Sequence, residues 1–113
     1  METLQFKPRV GVEVLVTVVP QGGRSHLGRT GNLSPSGMLL QVGEELQIGH
    51  RLELKLFLPG TAKKIEMAGE VTREDSRGEN AYLYGIRFID LEPEVEAVLD
   101  RFLMTRLDRR RPS

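Results

Sequence analysis

The residues best suited to hold a ligand are Asn32, Ser34 and Gly37, within the stretch Gly31-Asn32-Leu33-Ser34-Pro35-Ser36-Gly37. Asn, Ser and Pro favour tight turns, because their side chains hydrogen-bond the nearby backbone or fix its φ angle. Asn32 and Ser34 are two positions apart, so in an extended strand their amide and hydroxyl groups point to the same side. Gly37 lets another molecule approach the backbone closely. The stretch equally suits a plain connection between two strands, and both interpretations remain open on these residues alone.

The chain has few residues that could support catalysis or bind a metal. It contains no cysteine, which excludes a disulfide framework, a thiolate nucleophile and a thiolate metal site. Its two histidines, His26 and His50, show no metal-ligand spacing. Ser25 directly precedes His26, but neighbours on a strand face opposite ways and do not form a nucleophile–base pair. We therefore predict that the protein is not an enzyme, and that it holds no metal and no cofactor.

Charge and composition narrow the range of partners. Sixteen basic and sixteen acidic residues cancel, so the overall charge gives no reason to expect a nucleic acid or an anionic membrane as partner. The absence of Trp and the small number of other aromatic residues disfavour a base-stacking surface. No apolar run is long enough to span a bilayer, and residues 1–10 lack the apolar core of a signal peptide. We expect a cytoplasmic protein with no membrane insertion and no nucleic-acid partner.

Six segments with alternating apolar and polar residues predict β-strands. The clearest is 10–18, where valine occupies every second position, a period typical of a strand with one face on the core. The five that follow are 26–33, 38–42, 51–58, 65–72 and 81–88. The glycines of the second segment indicate strong curvature or a bulge, and the polar residues 75–80 predict a turn.

A change of period near Asp90 predicts a helix over 92–108. Its apolar residues recur at helical spacing and form one stripe, and Pro93 suits the first helical turn. The polar face mixes both signs of charge, which favours packing against the sheet over a membrane-surface helix.

These elements predict a mainly β fold, a six-stranded antiparallel β-barrel with one C-terminal α-helix. The chain is expected to form a single domain over 1–113. It would consist of a flexible lead-in at 1–9, the barrel at 10–89 and the helix.

Three motifs, in this order along the chain, resemble the PilZ domain family of bacterial receptors for cyclic di-GMP. Pro8-Arg9-Val10 is similar to the family's entry into its first strand, and residues 32–37 match its Asp/Asn-x-Ser-x-x-Gly signature. Gly85-Ile86-Arg87-Phe88 is similar to its Gly-x-x-Phe strand, which precedes a C-terminal helix. The resemblance covers nearly the whole chain. It implies the PilZ split-barrel fold and a binding domain that performs no chemistry on its ligand.

The resemblance implies cyclic di-GMP as the ligand. In the family, the Asp/Asn and Ser of the turn hydrogen-bond guanine and the Gly admits it closely. Carried over, these roles fall on Asn32, Ser34 and Gly37.

A second family motif, Arg-x-x-x-Arg, lies in the lead-in and folds over the ligand, with its arginines on phosphate and guanine. Arg9 matches the second arginine, but the first falls on Gln5, which carries no charge. Lys7 lies nearby and offers a point charge instead of a planar fork. We include Arg9, Gln5 and Lys7 among the candidate ligand-binding residues.

Two hypotheses follow from this resemblance. In the first, the domain binds cyclic di-GMP, orders its lead-in and relays the second-messenger level to an unidentified protein partner in motility or biofilm control. In the second, it is a degenerate PilZ-like domain that binds no nucleotide and acts as a protein-interaction adaptor in motility or secretion. The intact turn signature favours the first, and Gln5 favours the second.

Overall fold

The computed structural model describes residues 11, 13–60, 64–79 and 81–110, with helix side chains described as far as Arg106. Within these ranges, six strands precede one helix. They are β1 (Leu15–Pro20), β2 (His26–Ser34), β3 (Gly37–Val42), β4 (Arg51–Phe57), β5 (Lys64–Gly78), β6 (Ala81–Ile89) and α1 (Pro93–Arg110). The strands pair antiparallel and close into a barrel in the order β1-β2-β3-β6-β5-β4. The predicted six-stranded antiparallel barrel with a C-terminal helix is confirmed.

The barrel interior is filled by the apolar half of the alternating pattern. Its fully buried members on and beside β1 and β4 are Val14, Val16, Val18, Leu52, Leu54 and Leu56. Burying an aliphatic side chain of this size contributes about 1.5–3 kcal/mol, so this interior provides most of the stabilisation of the fold. The charged and polar residues between them face outward, as the period of two predicts.

The helix packs against the barrel through its apolar stripe. Leu99, Phe102 and Leu103 are buried, and α1 begins at Pro93, the residue expected in its first turn. Asp90, with φ of 50°, turns the chain between β6 and the helix, a conformation that Asp tolerates better than most side chains. Of the helical residues described, none form a segment long and apolar enough to cross a membrane.

Two boundaries differ from the sequence prediction. β1 begins at Leu15 instead of residue 10, and Val10 and Val12 lie outside the described residues. The predicted turn at 75–80 is wrong over most of its length, because β5 continues through Gly78. This polar segment is held extended by pairing with β6 and by cross-strand contacts, including the Arg77 guanidinium 5.0 Å from the centre of the Tyr82 ring. Those contacts exist only in the folded barrel, so the polarity of the segment alone does not predict them.

Candidate functional site

A bulge at Gly31 in β2 determines which way the signature residues face. Thr30 and Asn32 pair with consecutive residues of β3, which leaves Gly31 without a partner of its own. Thr30 and Leu33 are consequently both buried, while Asn32 and Ser34 line the same outer pocket. The irregularity predicted from the glycines of this strand is confirmed, and it sets the direction of the strand beyond it.

A second bulge, at Thr72 in β5, acts in the same way on the other side of the pocket. Val71 and Arg73 pair with consecutive residues of β6, so Thr72 is the extra residue. The Thr72 hydroxyl donates to the Gly85 carbonyl oxygen at 3.0 Å. Val71 therefore stays in the core, while Arg73 lies on the outer face.

Between the bulged strands, β3 and β6 pair in regular register and complete two rows across four strands. The first row is Asn32, Leu39, Gly85 and Arg73, and the second is Ser34, Gly37, Arg87 and Glu70. Each row has a glycine at one inner position, and the two rows border a depression of about 310 Å³, a volume within the range of small-ligand sites. We call this depression the trough; it is bounded by Asn32, Ser34, Gly37, Arg73, Gly85 and Arg87.

Ser34 uses its hydroxyl to build the turn between β2 and β3. Its Oγ accepts from the Ser36 backbone N–H at 3.3 Å and donates to the Gly37 carbonyl oxygen at 3.2 Å. A serine hydroxyl has one proton and two lone pairs. The Ser36 hydroxyl also lies 3.4 Å from this oxygen and, because the Ser34 proton is already donated, faces its second lone pair. Ser34 can therefore accept a hydrogen bond from a ligand only in place of the Ser36 hydroxyl.

Gly37 has a structural reason to be glycine that does not involve a ligand. A Cβ at this position would overlap the Ile86 carbonyl oxygen on β6. That atom belongs to the backbone and cannot move aside without disturbing the β3–β6 pairing. The motif analysis assigned Gly37 to ligand contact and missed this packing role.

Asn32 has a polar group that the described fold does not use. Its side chain is half-buried at the rim of the trough, and its amide has no hydrogen-bond partner among the residues described. An amide carries two donor hydrogens and an acceptor oxygen. Asn32 therefore offers both kinds of hydrogen bond to a molecule in the trough.

Two arginines in the trough were not among the candidate site residues from sequence. Arg73 Nε donates to Asp75 Oδ1 at 2.9 Å, and Arg87 Nη2 donates to Glu70 Oε1. Both arginines line the trough, whereas Asp75 and Glu70 do not. Alternation in β6 places Arg87 outside the core, so its position could have been found from sequence.

The remaining candidates lie beyond the part of the chain that can be assessed. Arg9, Gln5 and Lys7 fall outside the described residues, so their role stays a prediction. Within the described ranges, no group of three or more His, Cys, Asp or Glu side chains is placed to hold a metal ion.

Comparison with known proteins connects this geometry to a family. A family model described as the PilZ domain matches residues 5–105. Comparison with curated protein sequences gave no match.

Solved structures share the fold at low sequence identity. The inhibitor of motility MotI/DgrA from Bacillus subtilis is 18% identical with a TM-score of 0.77, over 98% of this chain and 54% of that one. The PilZ domain of YcgR from Escherichia coli, solved with c-di-GMP, is 18% identical with a TM-score of 0.71, over 95% of this chain and 94% of that one. YcgR from Escherichia coli in complex with c-di-GMP is 20% identical with a TM-score of 0.75, over 93% of this chain and 46% of that one. This chain thus spans about half the length of MotI and of the longer YcgR chain.

The family match covers almost all of the chain, and the six-stranded barrel and the C-terminal helix agree with it. This chain belongs to the PilZ domain family.

Proposed function

We propose that this domain is a cyclic di-GMP receptor that holds a guanine of the ligand against Asn32 in the trough. The observation that carries the proposal is the unused Asn32 amide, aimed by the Gly31 bulge at the rim of the trough. PilZ domains are receptor and adaptor domains, and two similar structures are named as complexes with c-di-GMP.

The residues bind the ligand and perform no chemistry on it. The Asn32 amide matches the donors and acceptors along a guanine edge, and Ser34 accepts one further hydrogen bond in place of the Ser36 hydroxyl. Gly37 lines the trough beside them. Arg9 would bring a planar fork that can hold phosphate or guanine, and Gln5 stands four positions before it in the sequence.

Binding would order the lead-in over the barrel and present a new surface to a partner protein, an order–disorder switch. The name of MotI, an inhibitor of motility, suggests motility control as one such output. A cytoplasmic location, where a soluble second messenger is available, is part of the same proposal.

The test is a calorimetric titration of the folded protein with cyclic di-GMP, comparing wild type with Asn32→Ala and Gln41→Ala. Gln41 is an exposed outward residue of β3 that does not line the trough, so its variant is a matched control. We expect saturable binding by wild type and the control. Asn32→Ala should bind about fivefold more weakly, since one hydrogen bond is worth roughly 1 kcal/mol. Absence of binding heat at high micromolar ligand would reject the proposal.

One observation favours the second hypothesis, an adaptor that binds no nucleotide. Two of the three signature residues, Ser34 and Gly37, have roles in the turn and in strand packing that do not require a ligand. Gln5, in place of an arginine, points the same way. This function predicts an unchanged melting temperature in excess cyclic di-GMP, because a ligand selective for the folded state must raise it. It also predicts that Gln5→Arg creates no binding.

A further inference from the structure

Arg73 and Asn32 lie on opposite sides of the trough, at the two ends of the first row. The first row places Arg73 beside Gly85, Gly85 beside Leu39, and Leu39 beside Asn32. Neighbouring strands are about 4.8 Å apart. The backbones at Asn32 and Arg73, three strand spacings apart along the row, are therefore separated by roughly 14 Å. The Arg73 side chain extends back over Gly85, with Nη1 2.7 Å from where a Cβ on Gly85 would lie. The missing side chain at Gly85 is therefore what makes room for the guanidinium.

Within the described residues, the Arg73 guanidinium is hydrogen-bonded through Nε alone, which leaves its two terminal nitrogens for a ligand. Nε donates to Asp75 Oδ1 at 2.9 Å, and neither Nη group has a hydrogen-bond partner among the described residues. Asp75 lies outside the trough. A fork that is fixed at Nε loses less conformational freedom when it binds an anion.

Charge is separated across the rim of the trough. Of the described residues that line it, the charged ones are Arg73 and Arg87, while their partners Asp75 and Glu70 stand outside. The charged side chains that line the trough are therefore both cationic, although each is paired with a carboxylate just outside it. Cationic side chains in a depression favour an anionic ligand.

We propose that Arg73 holds a phosphate of the ligand whose guanine contacts Asn32. It would supply from the barrel wall a guanidinium that the lead-in lacks at Gln5. This inference rests on the proposed function. The arginine fork donates two parallel N–H groups to phosphate oxygens, and Arg73 and Asn32 border the trough from opposite ends of one row.

The experiment compares cyclic di-GMP titrations of wild type, Arg73→Ala, Arg73→Lys and Arg77→Ala at two NaCl concentrations. Arg77 is the matched control, because it lies on the same strand, is exposed and ion-paired, and does not line the trough. Thermal melting of each variant verifies that it is folded. Arg73→Ala should weaken binding about tenfold to a hundredfold, and its affinity should fall less steeply with salt, because a charged contact is missing. Arg73→Lys should lie between it and wild type, and Arg77→Ala should stay within about twofold of wild type.

The outcomes separate this inference from the function on which it rests. If wild type binds and folded Arg73→Ala binds equally well with the same salt dependence, the phosphate role is overturned and the receptor function stands. If wild type does not bind, both are overturned. An equal loss in Arg77→Ala and Arg73→Ala would also reject the inference, because the effect would then be a general one of surface charge.

Discussion

The barrel wall has two parts that are built differently. β1 and β4, which we call the regular part, pair with each other and with their neighbours in unbroken register. The bulged part consists of β2, β3, β6 and β5, where the β2–β3 and β5–β6 pairs each contain register shifts. Strict alternation of apolar and polar residues is enough to fill the barrel interior. The bulges, which interrupt that alternation, direct polar side chains to one outer surface.

The outer positions of the two parts are also occupied differently. In the regular part, Leu15 and Phe57 are paired neighbours and both remain substantially exposed. In the bulged part, each row has a glycine at one of its two inner positions, Gly85 beside Leu39 and Gly37 beside Arg87. Large side chains cover the first surface, whereas the second, where the trough lies, combines glycines with larger residues.

Gly37→Ala should reduce stability more than the other substitutions, because it forces a side chain into the bulged part where β3 meets β6. The new methyl group would overlap the Ile86 carbonyl oxygen, and we expect the free energy of unfolding to fall by about 3 kcal/mol or more. Urea denaturation measures this directly. Gly31→Ala is the control, since its Cβ would meet Leu39 Cδ2 at an ordinary 3.4 Å. Its effect should stay within about 0.5 kcal/mol, and equal losses in both variants would contradict the packing role of Gly37.

Thr30→Val should have a smaller effect, at the boundary between the two parts. Thr30 Oγ1 accepts from the Val14 backbone N–H at 3.0 Å in a buried position. Valine keeps the shape but leaves that donor without its acceptor, which costs about 1–2 kcal/mol. Thermal or urea denaturation measures the loss, and ligand affinity should be unchanged because Thr30 faces the interior.

Thr17→Val is the matched control for that substitution. Thr17 lies on β1 in the regular part and makes no side-chain hydrogen bond within the described residues. Its replacement should change stability by less than about 0.5 kcal/mol. If Thr30→Val and Thr17→Val were equally stable, the hydrogen bond that Thr30 accepts would not contribute measurably to stability.

The contrast between unbroken register and bulged strands also explains how much of the structure could be predicted from the sequence. In the regular part, the period of two located both strands and their core faces, because each residue's direction follows from its neighbour's. In the bulged part, the spacing of Asn32 and Ser34 correctly placed both on one side. Arg73 was missed, because strict alternation puts it on the same face as Val71, in the core. The bulge that turns it outward depends on pairing with β6, which local sequence does not encode.

The most direct test of the account is to map the amide chemical shifts of the isotope-labelled protein during titration with cyclic di-GMP. If the bulged part holds the ligand, the largest changes should fall on Asn32, Gly37, Arg73 and Gly85, while amides of β1 and β4 change little. Large shifts confined to the regular part, or none at saturating ligand, would contradict the claim that the trough is the binding site.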